Sequence, residues 1–211
     1  LQHQDGSSHL VAATIPNCKS YDPAFAGELA VIVDAGMREM LVEQKDVFYY
    51  ITLMNENYAQ PDLPAQQHQA VLKGGYVHSS LGSEQDKSVT LMGSGAILPE
   101  VITAAQQLTQ QGLRVYIISV TSWSELTRDA QQNDQAHLHD LLAQTQGPII
   151  AASDYVRAVP EALRAHIPSG RSYTTLGTDG FGRSDTRRAL RQFFGVDAPS
   201  IVNAVEQQLT K

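Results

Sequence analysis

Apolar positions along the chain follow two periods, and the alternation between them predicts the fold. Phe25, Leu29, Ile32, Val33, Gly36 and Met40 recur at three- and four-residue steps, the spacing of one helix face. Val31, Met37 and Leu41 widen that stripe, so this helix is expected to be covered on more than one side. Its start is predicted at Asp22-Pro23, with Asp as the cap and Pro in the first turn. Residues 1–20 show no clear period, end in Ile15-Pro16-Asn17-Cys18, and read as an extended lead-in from a preceding domain. Val47-Phe48-Tyr49-Tyr50-Ile51-Thr52-Leu53 is short and rich in β-branched and aromatic residues, which predicts a strand. A polar loop with two prolines runs from Asn55 to Pro64. A short helix, a Gly74-Gly75 break, a candidate edge strand at Tyr76-Val77-His78 and a second polar loop, Gly82 to Lys87, follow.

After residue 88 the pattern becomes regular. Strands are predicted near Val89–Met92, Val115–Val120, Ile149–Ala152 and Tyr173–Leu176. Helices are predicted near Leu98–Gln111, Ser124–Gln131, Tyr155–His166, Asp185–Phe194 and Ala198–Leu209, while Asn133–Gly147 fits either a loop or a further helix. Strands that alternate with helices pair in parallel through crossovers. The expected fold is therefore α/β: a three-layer domain over residues 21–211, with a mostly parallel sheet of about five strands, room for one antiparallel edge strand, and helices on both faces.

Composition narrows the function classes. A chain of 211 residues with 42% hydrophobic content can bury one sizeable core. The net charge of −7 provides no electrostatic footprint for nucleic acid or an anionic membrane, so neither is an expected partner. A single cysteine, Cys18, permits no intrachain disulfide and fits a reducing compartment. No apolar run approaches the roughly 20 residues that span a bilayer. The polar start, Leu1-Gln2-His3-Gln4-Asp5-Gly6, has no signal layout and no methionine, as expected of a piece of something longer.

Few segments carry chemistry by themselves. Gly177-Thr178-Asp179-Gly180-Phe181-Gly182-Arg183-Ser184-Asp185 lies between a predicted strand and a predicted helix, but its spacing is neither a dinucleotide fingerprint nor a P-loop. Architecture is the favoured role there: Phe181 is expected to pack into the domain or a neighbouring one, Arg183 to pair with Asp179 or Asp185, and Ser184 or Asp185 to cap the next helix. A fully buried Phe181 ring would be worth about 3–5 kcal/mol. Gly93-Ser94-Gly95 fails the nucleophile-elbow spacing and reads as a tight strand-to-helix turn. The seven histidines form no H-E-x-x-H pattern, and His137 and His139, two apart, point to different sides of a helix; no metal site is expected. Asn55-Glu56-Asn57-Tyr58 follows the first strong strand, where α/β sheets bind ligands, and is either such a site or a polar turn.

Taken together, an ordered set of segments resembles the homodimeric decarboxylating subunit of pyruvate dehydrogenase. They are Leu1-Gln2-His3 with Asp5-Gly6, Thr14-Ile15-Pro16-Asn17-Cys18 with Ser20-Tyr21-Asp22-Pro23, Tyr49-Tyr50-Ile51-Thr52 with Asn55-Glu56-Asn57-Tyr58, Leu91-Met92-Gly93-Ser94-Gly95, Val120-Thr121-Ser122-Trp123-Ser124-Glu125-Leu126 with Arg128-Asp129, Ala152-Ser153-Asp154-Tyr155, and the Gly177–Asp185 loop. That loop, with Phe193-Phe194-Gly195, also resembles transketolases, which points to the C-terminal domain the two families share. The resemblance implies a cytoplasmic homodimeric parent that uses thiamine diphosphate and magnesium, bound by upstream domains and not by this piece. It implies decarboxylation of glycolytic pyruvate and transfer of the acetyl group to a lipoyl group on a partner acyltransferase, towards acetyl-CoA. It also implies that His3, which matches the family's Leu-Gln-His histidine, is catalytic; an imidazole of ordinary pKa near 6.5 relays protons at neutral pH. Gln4 departs from the acidic residue expected there, which bears on the surroundings of His3. Neither the cofactor-activating glutamate nor a Gly-Asp-Gly stretch for magnesium diphosphate is recognisable, so the isolated piece is expected to be inactive. The reading from another class is a non-catalytic dimerisation or regulatory domain of this or another transketolase-like thiamine enzyme; a third is a different thiamine enzyme, a transketolase or 2-oxoacid relative, against which the Thr14–Cys18 and Asn55–Tyr58 segments argue.

Overall fold

The computed structural model describes residues 5–84 and 87–210. A short helix α1 (Ser8–Ala13) leads to strand β1 (Cys18–Tyr21), helix α2 (Ala26–Met37), a π-helical turn at Arg38–Val42, and strand β2 (Phe48–Ile51). Helix α3 (His68–Leu72) precedes the main sheet, built from β3 (Gly75–Leu81), β4 (Lys87–Gly93) and, after helix α4 (Leu98–Gln110), β5 (Leu113–Val120). Helices α5 (Trp123–Gln132) and α6 (His137–Ala143) lead to β6 (Ile149–Ala152), and α7 (Ala158–Glu161) to β7 (Tyr173–Leu176). Helices α8 (Arg187–Phe194) and α9 (Ala198–Leu209) close the described chain.

The five-stranded sheet has the order β3-β5-β4-β6-β7. All its pairings are parallel except the edge pairing of β3 with β5. Alternation along each strand feeds two cores. Val89, Leu91, Val115, Ile117 and Ile150 face α4 and α9, whose Leu98, Val101, Leu108, Ile201 and Val205 complete one cluster. Met92, Ile118, Val120, Ile149 and Ala151 face the other way, against Trp123, Leu126, Leu138, Leu142 and Val159 of α5, α6 and α7. The three-layer α/β expectation is met, and the ambiguous stretch after Asn133 contains α6.

Three local expectations need correction. The lead-in is not extended throughout: α1 and β1 lie within it, and β1 pairs in parallel with β2 in a separate two-stranded sheet. Helix α2 starts later than Asp22, because the Glu28 carboxylate accepts from the backbone N–H groups of Ala24 (2.7 Å) and Phe25 (3.0 Å) and so terminates the helix there. The helix expected over Tyr155–His166 is broken into α7 and a 3-10 turn at Arg164–His166. Pro160 has no N–H to donate and is tolerated only in the first turn, so a helix that contains it starts just ahead of it.

Candidate functional site

The path of the chain through the sheet reverses at β4. From β4 the chain crosses over α4 to β5 on one side; from β5 it crosses over α5 and α6 to β6 on the other. Opposite directions on opposite faces are what a single crossover hand requires. The carboxyl ends of β4 and β6 therefore diverge into a switch-point crevice, the place where open α/β sheets take ligands. A cleft of about 670 Å³ opens there, lined by Asp154 and Tyr155 after β6, Thr178 after β7, and Thr52 after β2. Asp5, Gly6 and Ser7 line it too.

Behind the cleft runs a hydrogen-bonded chain whose cleft-lining member is Thr52. After β4, Ser94 is fully buried and donates from Oγ to Asp22 Oδ2 at 2.7 Å. Thr52 Oγ1 donates to Asp22 Oδ1 at 2.8 Å, and His9 Nε2 lies 2.9 Å from Thr52 Oγ1. Burial pushes the Asp22 carboxyl up to about 7, against the pull of the Ser94 and Thr52 hydroxyls. Burial also lowers His9 to about 4, with Asp5 acting weakly the other way. The His9 ring is wedged edge-on between Tyr50 at 5.5 Å and Tyr155 at 4.5 Å. Gly95 turns the chain at φ +48°, and a Cβ there would sit 2.6 Å from the Asp22 carboxylate oxygens. The Gly93–Gly95 turn is thus tight because Asp22 fills the space a Cβ would need, and Ser94 is a buried partner of Asp22, not a presented nucleophile.

The opposite wall is cationic. Arg191 of α8 pairs with Glu56 and, at 3.2 Å, with Glu100; Arg187 bonds Asn55. The Asn55–Tyr58 segment thus leads from the small sheet to α8, and Glu56 lines the cleft. Burial raises the Asp154 carboxyl, while Arg191 draws it back down.

The Gly177–Asp185 loop forms the rim and departs from expectation. Phe181 is 94% exposed, not packed. The loop is fixed at its base instead: Thr178 N–H donates to the Tyr155 carbonyl at 2.9 Å, and Asp179 accepts from Arg157 N at 2.9 Å and Nε at 2.5 Å. Those bonds, the backbone N–H first, hold Asp179 below the usual carboxylate range. Beyond them Gly180 turns at φ +91°, so Phe181 is carried to the tip. Asp179 thus pairs with Arg157, while Arg183 lies over the Phe193 ring at 4.6 Å. Thr186 caps α8 through Ala189 N–H, in place of Ser184 or Asp185.

Of the residues singled out in the sequence, His3 lies outside the described residues, and His137 Nε2 meets the Gly75 carbonyl at 2.7 Å. Sequence reasoning missed His9, Thr52 and Asp22 as one group, because the residues are brought together across 13 and 30 positions by the small parallel sheet.

Residues 74–197 match the transketolase-like TK C-terminal domain family, more than half of the chain. The chain belongs to that family. Residues 1–61 match the pyruvate dehydrogenase E1 component middle domain. The chain is 45% identical to a pyruvate dehydrogenase E1 component of Pseudomonas aeruginosa, an alignment covering 99% of this chain and 25% of that protein. The corresponding component of Escherichia coli is 43% identical over 100% of this chain and 25% of its own length. The chain thus spans about a quarter of these relatives. Among solved structures, a transketolase from Campylobacter jejuni superposes with TM-score 0.69 at 18% identity, over 99% of this chain and 28% of that one. A transketolase from Pichia stipitis gives 0.70 at 16% identity, over 99% and 27%. At such identities these two speak for the fold.

Proposed function

We propose that this chain is the C-terminal part of a pyruvate dehydrogenase E1 component that decarboxylates pyruvate and passes the acetyl group to a lipoyl group of a partner acyltransferase. The observation that carries the proposal is the 45% identity to such a component along 99% of the chain. The boundary between lead-in and C-terminal domain belongs to the same proposal. The sequence pattern puts it at residue 20, while the two family matches run over residues 1–61 and 74–197.

Members of this family use thiamine diphosphate, which supplies the electron sink for decarboxylation when bound. The residues here do not fit a site for it. Among the described residues no three His, Cys, Asp or Glu side chains group as metal ligands. Of the carboxylates lining the cleft, Glu56 is engaged by Arg191 and Asp5 by Ser8. Holding the cofactor and magnesium falls to other parts of the parent. What this chain contributes is a wall of the site: Asp5, Gly6 and Ser7 line the cleft, and His3 stands two residues ahead of Asp5. In this role the His3 imidazole relays a proton during acetyl transfer. A homodimeric parent is supported by the exposed apolar flank of α2 and its π-turn, where Leu41 and Val42 are exposed together with Met37. A cytoplasmic location is part of the same proposal; no described helix is long and apolar enough to cross a membrane.

The test is made in the full-length parent. Pyruvate-dependent acetylation of a lipoyl domain is expected, and His3→Ala is expected to slow it about 100-fold, the range of a lost proton relay, with thiamine diphosphate affinity unchanged. An unchanged rate removes His3 from the site; absence of any pyruvate-dependent turnover refutes the assignment.

A further inference from the structure

We infer that the outer edge of β2 is a docking edge for a further strand, supplied by the part of the parent outside this chain. The inference rests on the chain being part of an E1 component. The occupant is assigned to that parent because β1 and β2 both fall within the middle-domain match, residues 1–61, while the chain spans about a quarter of the E1 relatives.

The two edges of the small sheet differ. In a parallel pair every second amide of a strand points at its neighbour. Phe48 N–H donates to the Asn17 carbonyl and Thr52 N–H to the Tyr21 carbonyl, both at 3.0 Å, so the amides of Phe48, Tyr50 and Thr52 face β1. The N–H and C=O groups of Tyr49 and Ile51 therefore face away from it. Among the described residues, those groups make no hydrogen bond. The far edge of β1, by contrast, is closed. Asp22 N–H donates to the Thr121 carbonyl at 2.8 Å. The Cys18 carbonyl accepts from Arg128 Nη1 at 2.6 Å, and the Ser20 carbonyl from Ser122 Oγ at 2.6 Å. The turn after β5 and helix α5 thus end the sheet at β1, and only β2 is left able to extend it.

The rest of β2 has the character of an interior strand. Both of its faces are covered. Tyr49 stacks on Tyr21 at 5.7 Å and lies against Gly36 of α2, where a Cβ would come within 3.3 Å of the Tyr49 ring. On the other face Tyr50 meets His9 of α1 at 5.5 Å. Parallel strands covered on both faces belong to sheets of several strands, and a sheet of two is below the usual size. Phe48-Tyr49-Tyr50-Ile51 also holds no charge and no proline, the devices that keep natural edges from pairing. The main sheet's edge strand β3 is interrupted by the register shift between Val77 and Ser79, whereas β2 pairs with β1 in unbroken register. An occupant of this edge is recognised by its main chain, which must offer acceptors to Tyr49 and Ile51 N–H and donors to their carbonyls. Strand addition of this kind takes its affinity from those bonds.

Hydrogen exchange read at single amides tests this, in the 211-residue chain and in the full-length parent. In the chain, Phe48, Tyr50 and Thr52 are expected to be protected by β1, and Tyr49 and Ile51 to exchange freely. In the parent, Tyr49 and Ile51 are expected to slow by about 100-fold or more, since they then open only with the sheet. Ile51→Pro removes one outward N–H and no bond to β1, and Ile51→Ala controls for the lost side chain. The two variants are expected to melt alike in the chain, while in the parent Ile51→Pro melts below Ile51→Ala and Tyr49 loses its protection. Exchange of Tyr49 and Ile51 as fast in the parent as in the chain overturns the inference, and so do equal midpoints of the two variants in the parent. Protection of both amides already in the chain overturns it too; if that protection rises with protein concentration, the edge belongs to a second copy. Exchange is read without turnover, so a parent that lacks pyruvate-dependent activity refutes the proposed function without deciding the state of this edge.

Discussion

Asp22 and His9 titrate in opposite senses within one hydrogen-bonded chain, and replacing Asp22 by Asn should uncover a pH dependence that the pair conceals. Asp22 is raised from 3.8 to about 7 in the folded protein. Between those values the folded state holds a proton that the unfolded state has released. The stability Asp22 contributes is therefore fully present below 3.8 and lost as pH rises through 7. His9 is lowered from 6.5 to about 4. Its contribution is present above 6.5 and lost as pH falls through 4, because the unfolded ring takes up a proton that the buried ring refuses. From pH 4 to 6.5 the two differences cancel. One proton corresponds to about 1.4 kcal/mol per pH unit, so Asp22 spans about 4 kcal/mol over 3.8 to 7 and His9 about 3 kcal/mol over 4 to 6.5. Other groups facing Asp22 are Asp154 and Glu28, both acting to raise it, and Asp5 faces His9. The informative quantity is the difference between variant and wild type. Urea unfolding of the chain at half-unit steps from pH 4 to 8 measures it. Relative to wild type, Asp22→Asn should lose about 1.4 kcal/mol for each unit the pH falls below 7, and become level above pH 7.5. Parallel stability curves would show that Asp22 is not held protonated, and the account of the buried chain would be wrong.

Two further substitutions test the site's framework. Phe181→Ala should change stability by less than about 0.5 kcal/mol, since the ring is 94% exposed; a lowered urea midpoint would mean that the rim loop packs after all. Gly95→Ala should cost at least about 2 kcal/mol, because the residue sits at φ +48° and the new Cβ would meet the Asp22 carboxylate at 2.6 Å; a normal unfolding midpoint would show that this turn tolerates movement.

The layered sheet was legible because its signals are local and redundant. Val89, Leu91, Val115 and Ile117 alternate with residues bound for the other core, and each strand is followed by a helix with its own periodic stripe. The edge strand β3 was recognised at Tyr76 but runs antiparallel to Leu81, past a register shift between Val77 and Ser79 that blurs its alternation. Where sequence reading failed, long-range partners had overridden local preference. Asp22-Pro23 has the form of a helix start, yet Glu28 terminates α2 and Asp22 is drawn to Ser94, 72 residues away. Hydrophobicity alone predicts that Phe181 packs into the domain or a neighbouring one; within this domain the loop's bonds at Thr178 and Asp179 leave the ring exposed.

The same contrast locates function within the chain. Elements whose places follow from periodicity, β4 to β7 with α4 and α9, build the scaffold, and their buried hydroxyls, such as Thr90 and Ser119, tie it to neighbouring elements. The residues that periodicity could not place, His9, Asp22, Thr52 and Ser94, form a buried polar chain at the one point where the sheet's winding reverses. A buried carboxyl and a buried imidazole joined through Thr52 cost stability that apolar groups of the same shape would not. Local rules are broken most often where a site demands it. The break falls beside Asp5 and Gly6, at the cleft. The polar chain is therefore one device, in which the sheet end fixes Asp22, Asp22 fixes Thr52, and Thr52 meets His9 of the first helix.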